Sequence, residues 1–465
     1  MLSASMLSLL WSSIDYKAFL ISSGICFTIG ALFFLVKTPS KIIRKREGYL
    51  IVGMGWITIC LLGALPYCIQ LDINVVDAIF ESTSGFTTTG ATIFNDIESL
   101  SPGILFWRSL TQWIGGMGII VFTIAIFPLL GIGGVELFVA EAPGPSADKI
   151  HPQIKGVAKR LWLIYIGLTF TLFLTLYFIS GMTQFDALNH ALTTMSTGGF
   201  STKNASIAHF DSEWVQYPIL IFMFIAGMNY TIIYFLFKGR IKKAWQSDEL
   251  KFYLKIVFSL IILVGISIYY STDYSVEKSF RSAAFQIVSL ITTTGYITDD
   301  YTSWNNTLVM VFFSLLFLGA CAGSTSGGIK MIRHLVFIRN SLLEFKRLLH
   351  PKAYIRVKID QSIVSGRIIT HILVFLLFYL IVFVGGSFIM MTLLKFDSRP
   401  FLTSIGSVAT CLGNVGPGIG SVGPMDNFAA IPSIGKLLLS FIMIVGRLEL
   451  FTILIILTPF FWKIN

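Results

Sequence analysis

Ser84-Gly85-Phe86-Thr87-Thr88-Thr89-Gly90-Ala91-Thr92 lies between two long apolar runs. Three later stretches echo it: Ser196-Thr197-Gly198-Gly199-Phe200, Thr292-Thr293-Thr294-Gly295-Tyr296 and Thr410-Cys411-Leu412-Gly413-Asn414. Aligned on Gly90, Gly198, Gly295 and Gly413, the copies stand 108, 97 and 118 residues apart. Solenoid units run roughly 20–50 residues, so this is no solenoid. It reads as a membrane module used four times: apolar helix, short amphipathic helix, Thr-Gly loop, apolar helix. A Thr-Gly segment held extended turns successive backbone carbonyls into one lumen. Four of them around an axis make rings of oxygens that replace the water shell of a monovalent cation. Glycine admits backbone angles that other residues resist, and it lets four backbones crowd one axis. A single Thr-Gly pair reads equally well as an ordinary turn. Four copies at one place in four similar modules favour a filter.

The chain has 465 residues, of which 55% are hydrophobic and 12% charged. That charge share is about half the usual one for a soluble domain, so the chain is expected to cross a membrane many times. The net charge of +10 would suit nucleic acid, but its distribution excludes that reading. Segments 37–48, 131–160, 238–255 and 339–367 hold 22 lysines and arginines, against five in 71–103, 181–213, 271–306 and 393–434. Such alternation places the basic loops in the cytoplasm and the Thr-Gly loops outside. The five cysteines and six histidines show no metal-ligand spacing. The N-terminus lacks a basic region ahead of its apolar residues, a poor match to a signal peptide.

The expected fold is all-α and integral to the membrane: four parallel helix–pore-loop–helix repeats around a central ion pore, preceded by one or two extra helices. Residues 1–14 are too short to span, since about 20 residues are needed. The first span is expected at 17–36, followed by Lys37, Lys41, Arg44, Lys45 and Arg46, within an N-terminal region 1–47. Repeat one (48–135) has its outer helix at 49–70, pore helix at 75–86, filter at 87–91 and second span at 104–130. Gly115-Gly116-Met117-Gly118 in that span suits close helix contact. Repeat two (136–245) has spans at 160–180 and 214–237. Asp77 and Asp186 stand near pore-helix starts, where carboxylates can cap free N–H groups. Repeat three (246–350) has its first span at 252–270, pore helix at 278–291 and filter at 293–296. Its second span starts near 307 and breaks at Gly319–Gly328, too glycine-rich for a firm helix. Irregular backbone at membrane depth must line a cavity or be buried in protein, so this loop is expected to cross the ion path. Repeat four (351–465) spans 368–392, with a pore helix at 399–410, filter at 411–414 and last span at 435–460.

Candidate potassium-binding filter residues are Thr88, Thr89, Gly90, Thr197, Gly198, Thr293, Thr294, Gly295, Leu412, Gly413 and Asn414. Candidate gate residues are Gly319, Gly323, Ser324, Thr325, Gly327, Gly328, Lys330 and Arg447. An arginine inside a span costs about 2.5–3.5 kcal/mol on insertion scales, so Arg447 should face a cavity or partner. A local ion pair with Glu449, or snorkelling, is the competing reading. The pore helices aim their negative C-termini at a common point, which favours a cation. Asp77 and Glu81 form a carboxylate pair one turn apart, for which a structural role is expected. No enzyme constellation and no ATP motif stands out.

Several motifs together resemble the membrane subunits of Trk-type potassium-uptake systems in the Trk/Ktr/HKT superfamily. They are SGFTTTGAT at 84–92, WIGGMGIIVFTIAIFPLLGIGG at 113–134, AEAPGP at 140–145, STGGFST at 196–202, CAGSTSGGIK at 321–330 and GRLELFT at 446–452. The resemblance covers nearly the whole chain. It implies a central K+ path, a homodimer in the cell (inner) membrane with a cytoplasmic C-terminus, and lipid around it. It also implies a cytosolic TrkA-like nucleotide-binding regulatory partner, so that nucleotide acts only through that partner. By motif, Gly90, Gly198, Gly295 and Gly413 become the filter glycines, 319–328 the intramembrane gate, and Arg447 the pore-side arginine. Gly90, where serine accompanies sodium preference in the plant branch, favours potassium. Relatives of this subtype carry two helices before the first module, whereas here one full span and a short apolar stub precede it. Voltage-driven uptake and proton-coupled symport both remain open. The parallel repeats disfavour an inverted-repeat transporter.

Overall fold

A computed structural model describes residues 1–11, 13, 15–35, 45–125 and 150–463. Two helices, Leu2–Leu10 and Tyr16–Phe34, precede four units of one plan. The first helices are Lys45–Gly63 with Leu65–Gln70, Ile150–Leu174 with a π turn at Thr175–Ile179, Asp248–Ser271, and Gly366–Leu393. The pore helices are Val75–Phe86, Gln184–Met195, Val276–Ile291 and Pro400–Gly413. The second helices are Pro102–Ala125, Glu213–Ala226 with Tyr230–Phe237, Asn306–Leu315 with Met331–Leu349, and Ser433–Arg447 with Phe451–Leu457. A short hairpin pairs Lys358–Ile359 with Ser362–Ile363 just before the fourth unit.

Among the described residues, five helices are long and apolar enough to cross a membrane, or seven if each of two bent pairs is one span. Their outward faces leave Phe27 79%, Phe178 72% and Phe388 72% exposed, a surface that suits hydrocarbon rather than water. The interior is polar by comparison. Ser82, Thr83, Thr193, Thr194, Ser289, Thr292, Ser407 and Thr410, all on pore helices or at their ends, are buried. The pore helices therefore turn small hydroxyl residues inward, and several of them donate to backbone carbonyls: Thr194 Oγ1, for instance, donates to His190 O at 2.6 Å.

Side chains cap three of the pore helices, in the first two one turn before the expected aspartates. Asn74 accepts from Val76 N at 3.1 Å, Thr183 from Asp186 N at 3.1 Å and Ser275 from Lys278 N at 3.2 Å. Asp77 and Asp186 are not the caps. Asp77 pairs with Lys436 Nζ at 2.6 Å, tying the first pore helix to the last unit. Asp186 accepts from Thr202 Oγ1 at 2.5 Å, tying its helix to the loop beyond it. The second helix of unit one packs on the pore helix of unit two, that of unit two on the pore helix of unit three, and that of unit four on the pore helix of unit one. Met331–Leu349 of unit three packs on Gly366–Leu393 of unit four, so the units close into a ring.

Two expected spans are not continuous. The pair at 213–237 bends by 107° and the pair at 433–457 by 118°. At the first break Asn229 starts a new helix by accepting from Thr231 N at 2.8 Å. Gly227 O there accepts from Cys321 N at 3.0 Å instead of continuing the ladder. At the second, Glu449 and Leu450 take φ of +57° and +51°, left-handed angles that end a right-handed helix. Lys37, Lys41, Arg44, the motif at 140–145 and the boundary between 135 and 136 lie outside the described residues.

Candidate functional site

Each pore helix ends in the same turn. Thr88, Thr197, Thr293 and Asn414 have φ of +53°, +53°, +56° and +53°. The residue after each donates back five positions: Thr89 N to Ser84 O, Gly198 N to Thr193 O, Thr294 N to Ser289 O and Val415 N to Thr410 O, at 2.8–3.0 Å. Threonine is β-branched and resists this region, at about 1–3 kcal/mol per residue. Three threonines held so in equivalent places mean that the surrounding structure over-determines the turn. Two residues beyond each stands a glycine of positive φ: Gly90 (+83°), Gly199 (+77°), Gly295 (+77°) and Gly416 (+106°).

These four glycines meet in a cycle. A Cβ on Gly90 would lie 2.3 Å from Gly198 O, on Gly199 1.9 Å from Thr294 O, on Gly295 2.0 Å from Val415 O, and on Gly416 2.8 Å from Thr89 O. Each glycine abuts the carbonyl just before the corresponding glycine of the next unit, and the fourth returns to the first. The four loops therefore surround one axis, with backbone oxygens of each against the bare Cα of its neighbour.

Side chains brace the ring from behind. Gln112 Nε2 donates to Gly198 O at 2.6 Å, and its Oε1 accepts from Phe200 N at 3.0 Å. A Cβ on Gly198 would fall 2.4 Å from the Gln112 amide carbon, which is why glycine stands where units one and three carry Thr89 and Thr294. Seven residues before the first three left-handed turns, Glu81, His190 and Gln286 reach forward to their own loops. Glu81 accepts from Ile93 N at 3.0 Å, His190 Nε2 meets Ser201 Oγ at 3.0 Å, and Gln286 Nε2 donates to Asp299 O at 3.1 Å. Glu81 also holds Arg108 Nε at 2.8 Å, with both side chains at 1% exposure or less. Arg108 Nη1 donates to Ser201 O at 3.1 Å, so this buried pair links the loops of units one and two.

The glycine-rich loop 319–328 crosses against the start of these turns. Gly319 N donates to Ile329 O at 2.8 Å and Met331 N to Ala320 O at 3.0 Å, closing its neck. Gly323 (φ +71°) and Gly328 (φ +65°) shape the turns between. Its tip touches the ring: Gly327 N donates to Thr293 Oγ1 at 2.7 Å, and Thr197 Oγ1 donates to Thr325 Oγ1 at 3.2 Å. Ser324 Oγ donates to Cys321 O at 2.6 Å within the loop. Two buried cations grip the tip. Arg447 Nη1 donates to Thr325 O at 2.9 Å and its Nη2 to Gly115 O at 3.0 Å. Lys330 Nζ donates to Ser326 O and, at 3.2 Å, to Ser326 Oγ. Glu449 pairs with Arg333 rather than with Arg447.

Of the filter candidates, Thr88, Thr89, Gly90, Thr197, Gly198, Thr293, Thr294, Gly295 and Asn414 come together in the ring. Leu412 and Gly413 do not; they form the last turn of Pro400–Gly413. Gly199, Val415 and Gly416 take the places that the sequence alignment gave to Gly198, Leu412 and Gly413. The signal was available: Thr87–Gly90, Ser196–Gly199, Thr292–Gly295 and Gly413–Gly416 are all four-residue frames that end in glycine. All eight gate candidates lie on the crossing loop or in contact with it. Glu81 has the structural role expected of it, whereas Arg108 and Gln112, far apart in the chain from Ser201 and Gly198, carried no such signal.

Comparison with known proteins finds relatives along nearly the whole chain. The profile of the TrkH family, described as "Cation transport protein", matches residues 16–464. The Trk system potassium uptake protein TrkH of Escherichia coli K12 is 38% identical over 453 residues, covering 96% of this chain and 92% of that protein. The Trk system potassium uptake protein TrkG of the same strain is 34% identical over 468 residues, covering 100% and 95%. The crystal structure of the potassium transporter TrkH from Vibrio parahaemolyticus superposes with a TM-score of 0.90 at 34% identity, covering 99% of this chain and 96% of that one.

Proposed function

We propose how this chain, which belongs to the TrkH family of cation transport proteins, carries out potassium uptake: K+ passes inward through the ring of four Thr-Gly loops and is gated by the loop 319–328. The observation that carries the reading is the closed cycle of Gly90, Gly199, Gly295 and Gly416 against the carbonyls of Gly198, Thr294, Val415 and Thr89. A ring of backbone oxygens replaces the hydration shell of a monovalent cation without needing a charged side chain. The relatives are named as potassium uptake proteins. The same ion is assigned here to the ring residues.

The described arrangement is the closed one. Two buried cations, Arg447 and Lys330, hold carbonyls at the tip of a loop that contacts the ring, and these tethers latch the tip across the ion path. Opening moves the tip off the axis. The driving force is the membrane potential: 100 mV supplies about 2.3 kcal/mol per charge, enough for roughly fiftyfold accumulation. The chain acts as a homodimer in the cell (inner) membrane, with its basic loops and C-terminus in the cytoplasm. A TrkA-like nucleotide-binding subunit docks on that face and pulls on the inner ends of units three and four.

Radioactive rubidium uptake into proteoliposomes under an imposed voltage, with and without a proton gradient, tests this. Uptake driven by voltage alone is the expected result. No uptake under voltage would overturn the reading, and uptake that needs the proton gradient would replace it by symport.

A further inference from the structure

We propose that Glu249 is the positioning residue that holds the loop 319–328 closed by its neck; this rests on the reading of that loop as the gate. Glu249 stands in the first turn of Asp248–Ser271 and is 6% exposed. The helix does not need it as a cap, because Ser247 Oγ already accepts from Leu250 N at 3.3 Å. Its carboxylate reaches sideways instead. Oε1 accepts from Ala322 N at 2.7 Å and from Ile332 N at 3.1 Å. Ala322 lies within the loop and Ile332 in the first turn of the helix that follows it. The two amides flank the neck pairs Gly319–Ile329 and Ala320–Met331, so one oxygen clamps both limbs of the loop where they converge.

The clamp and the tip tethers are opposite in sign. Arg447 and Lys330 hold carbonyls at the tip, whereas Glu249 holds amides at the neck. A charged acceptor makes a stronger hydrogen bond than a neutral one, and burial strengthens it further. A carboxylate buried at the end of a membrane helix is costly, and two backbone donors from the gating segment offset that cost only while the loop keeps this shape. The neck also holds glycine, Gly319, which cannot stiffen it alone. Glu249 therefore stabilises one of the two loop arrangements selectively, as a positioning residue for gating must.

The clamp continues outward. The preceding residue, Asp248, accepts from Arg339 Nη1 at 2.6 Å and from Asp360 N at 3.2 Å. Arg339 belongs to Met331–Leu349, and Asp360 is in the turn of the hairpin. Displacement of the hairpin thus reaches Ala322 through two adjacent carboxylates on one helix end.

Single-channel recording and rubidium flux of Glu249→Ala, Glu249→Gln and Glu249→Asp, with Arg447→Ala beside them, test the assignment. Glu249→Ala should raise open probability roughly tenfold, a shift of about 1.4 kcal/mol, with unitary conductance and the K+/Na+ reversal potential unchanged. Glu249→Gln should fall between it and the parent, because its oxygen still accepts from both amides but without charge. Glu249→Asp keeps the charge but loses reach, and should resemble Glu249→Ala. A merely structural residue would lower the folded yield and leave opening of the folded fraction unchanged. That outcome, together with an effect of Arg447→Ala, overturns the role of Glu249 and leaves the gate reading standing. No effect from either site removes the gate reading itself. If Glu249→Ala does not fold, the isosteric Glu249→Gln decides alone.

Discussion

The ring of Thr-Gly loops and the loop 319–328 touch each other, yet they are held in opposite ways. Each ring turn is fixed by its own pore helix, through the same backbone bond from the residue after the turn to a carbonyl five positions earlier. That pattern recurs four times, and neighbouring turns abut with no room for a Cβ. The crossing loop occurs once. Long-range groups from three other helices hold it: Glu249, Arg447, and the break at Gly227–Tyr230, where Tyr230 N donates to Gly323 O at 3.1 Å. A structure fixed locally and repeated by near-symmetry has one arrangement. A structure pinned by a few distant side chains can trade them for others, at about 1.5–3 kcal/mol for each charged hydrogen bond. Rigidity suits selection of an ion, and exchangeable tethers suit gating.

The harshest way to break this contrast is to put a methyl group into the ring. Gly199→Ala and Gly295→Ala set a Cβ about 2 Å from a neighbouring carbonyl oxygen, at 1.9 and 2.0 Å, on residues of φ +77°. Both are expected to abolish selective uptake. Gly90→Ala should follow, and Gly416→Ala should be mildest, since its contact is 2.8 Å. Reversal potentials in mixed K+ and Na+ read the order. Normal selectivity in Gly199→Ala would mean that the ring is not the filter.

Next in size is Arg108→Ala. It leaves Glu81 buried without its cation, which costs about 3–5 kcal/mol. Because that pair joins the loops of units one and two, thermal unfolding in detergent should shift clearly downward. An unchanged midpoint would show that the brace behind the ring contributes little.

Arg447→Ala tests the other side of the comparison. Removing a tip tether should raise open probability roughly tenfold, equivalent to about 1.4 kcal/mol, while conductance stays the same. A rise in unitary conductance instead would mean that the arginine repels ions directly and is no latch.

The smallest effect sharpens the contrast by its absence. Lys203 and Glu98 pair at 3.7 Å with both side chains partly exposed, and such a pair contributes about 0–1 kcal/mol. Lys203→Ala should change neither selectivity nor opening. A measurable change would mean that the outer ends of the loops are coupled to the ring.

Much of the architecture was legible because the membrane restricts it. A polar backbone in hydrocarbon must be helical or enclosed, so apolar length, basic loops and recurring Thr-Gly segments led to helices, their order and the four units. The first pore helix, expected at 75–86, is Val75–Phe86, and the glycine run at 319–328 interrupts its span as expected. The fourth loop was less legible. Gly413 looks like its repeat partners in composition, but the pore helix continues through it. There a Cβ on Gly446 would lie 2.1 Å from Leu412 O, and one on Gly413 2.7 Å from Leu316 O. Where that helix stops depends on packing from helices far away in the chain, so the turn falls at Asn414.

Sequence alone therefore determined the membrane class, the four-unit plan, the Thr-Gly loops and the odd arginine in the last span. It left that arginine between an ion pair with Glu449 and some more distant partner. Tertiary structure decided the matter: Glu449 went to Arg333, and Arg447 went to the carbonyls of Thr325 and Gly115, 122 and 332 residues away. Tertiary structure likewise set the register of the ring, chose Gln112 to back Gly198, and paired Glu81 with Arg108. The physical reason is common to all of these. Periodicity and composition report what one segment requires of its surroundings, whereas a buried donor or charge takes whichever partner the assembled ring brings within about 3 Å.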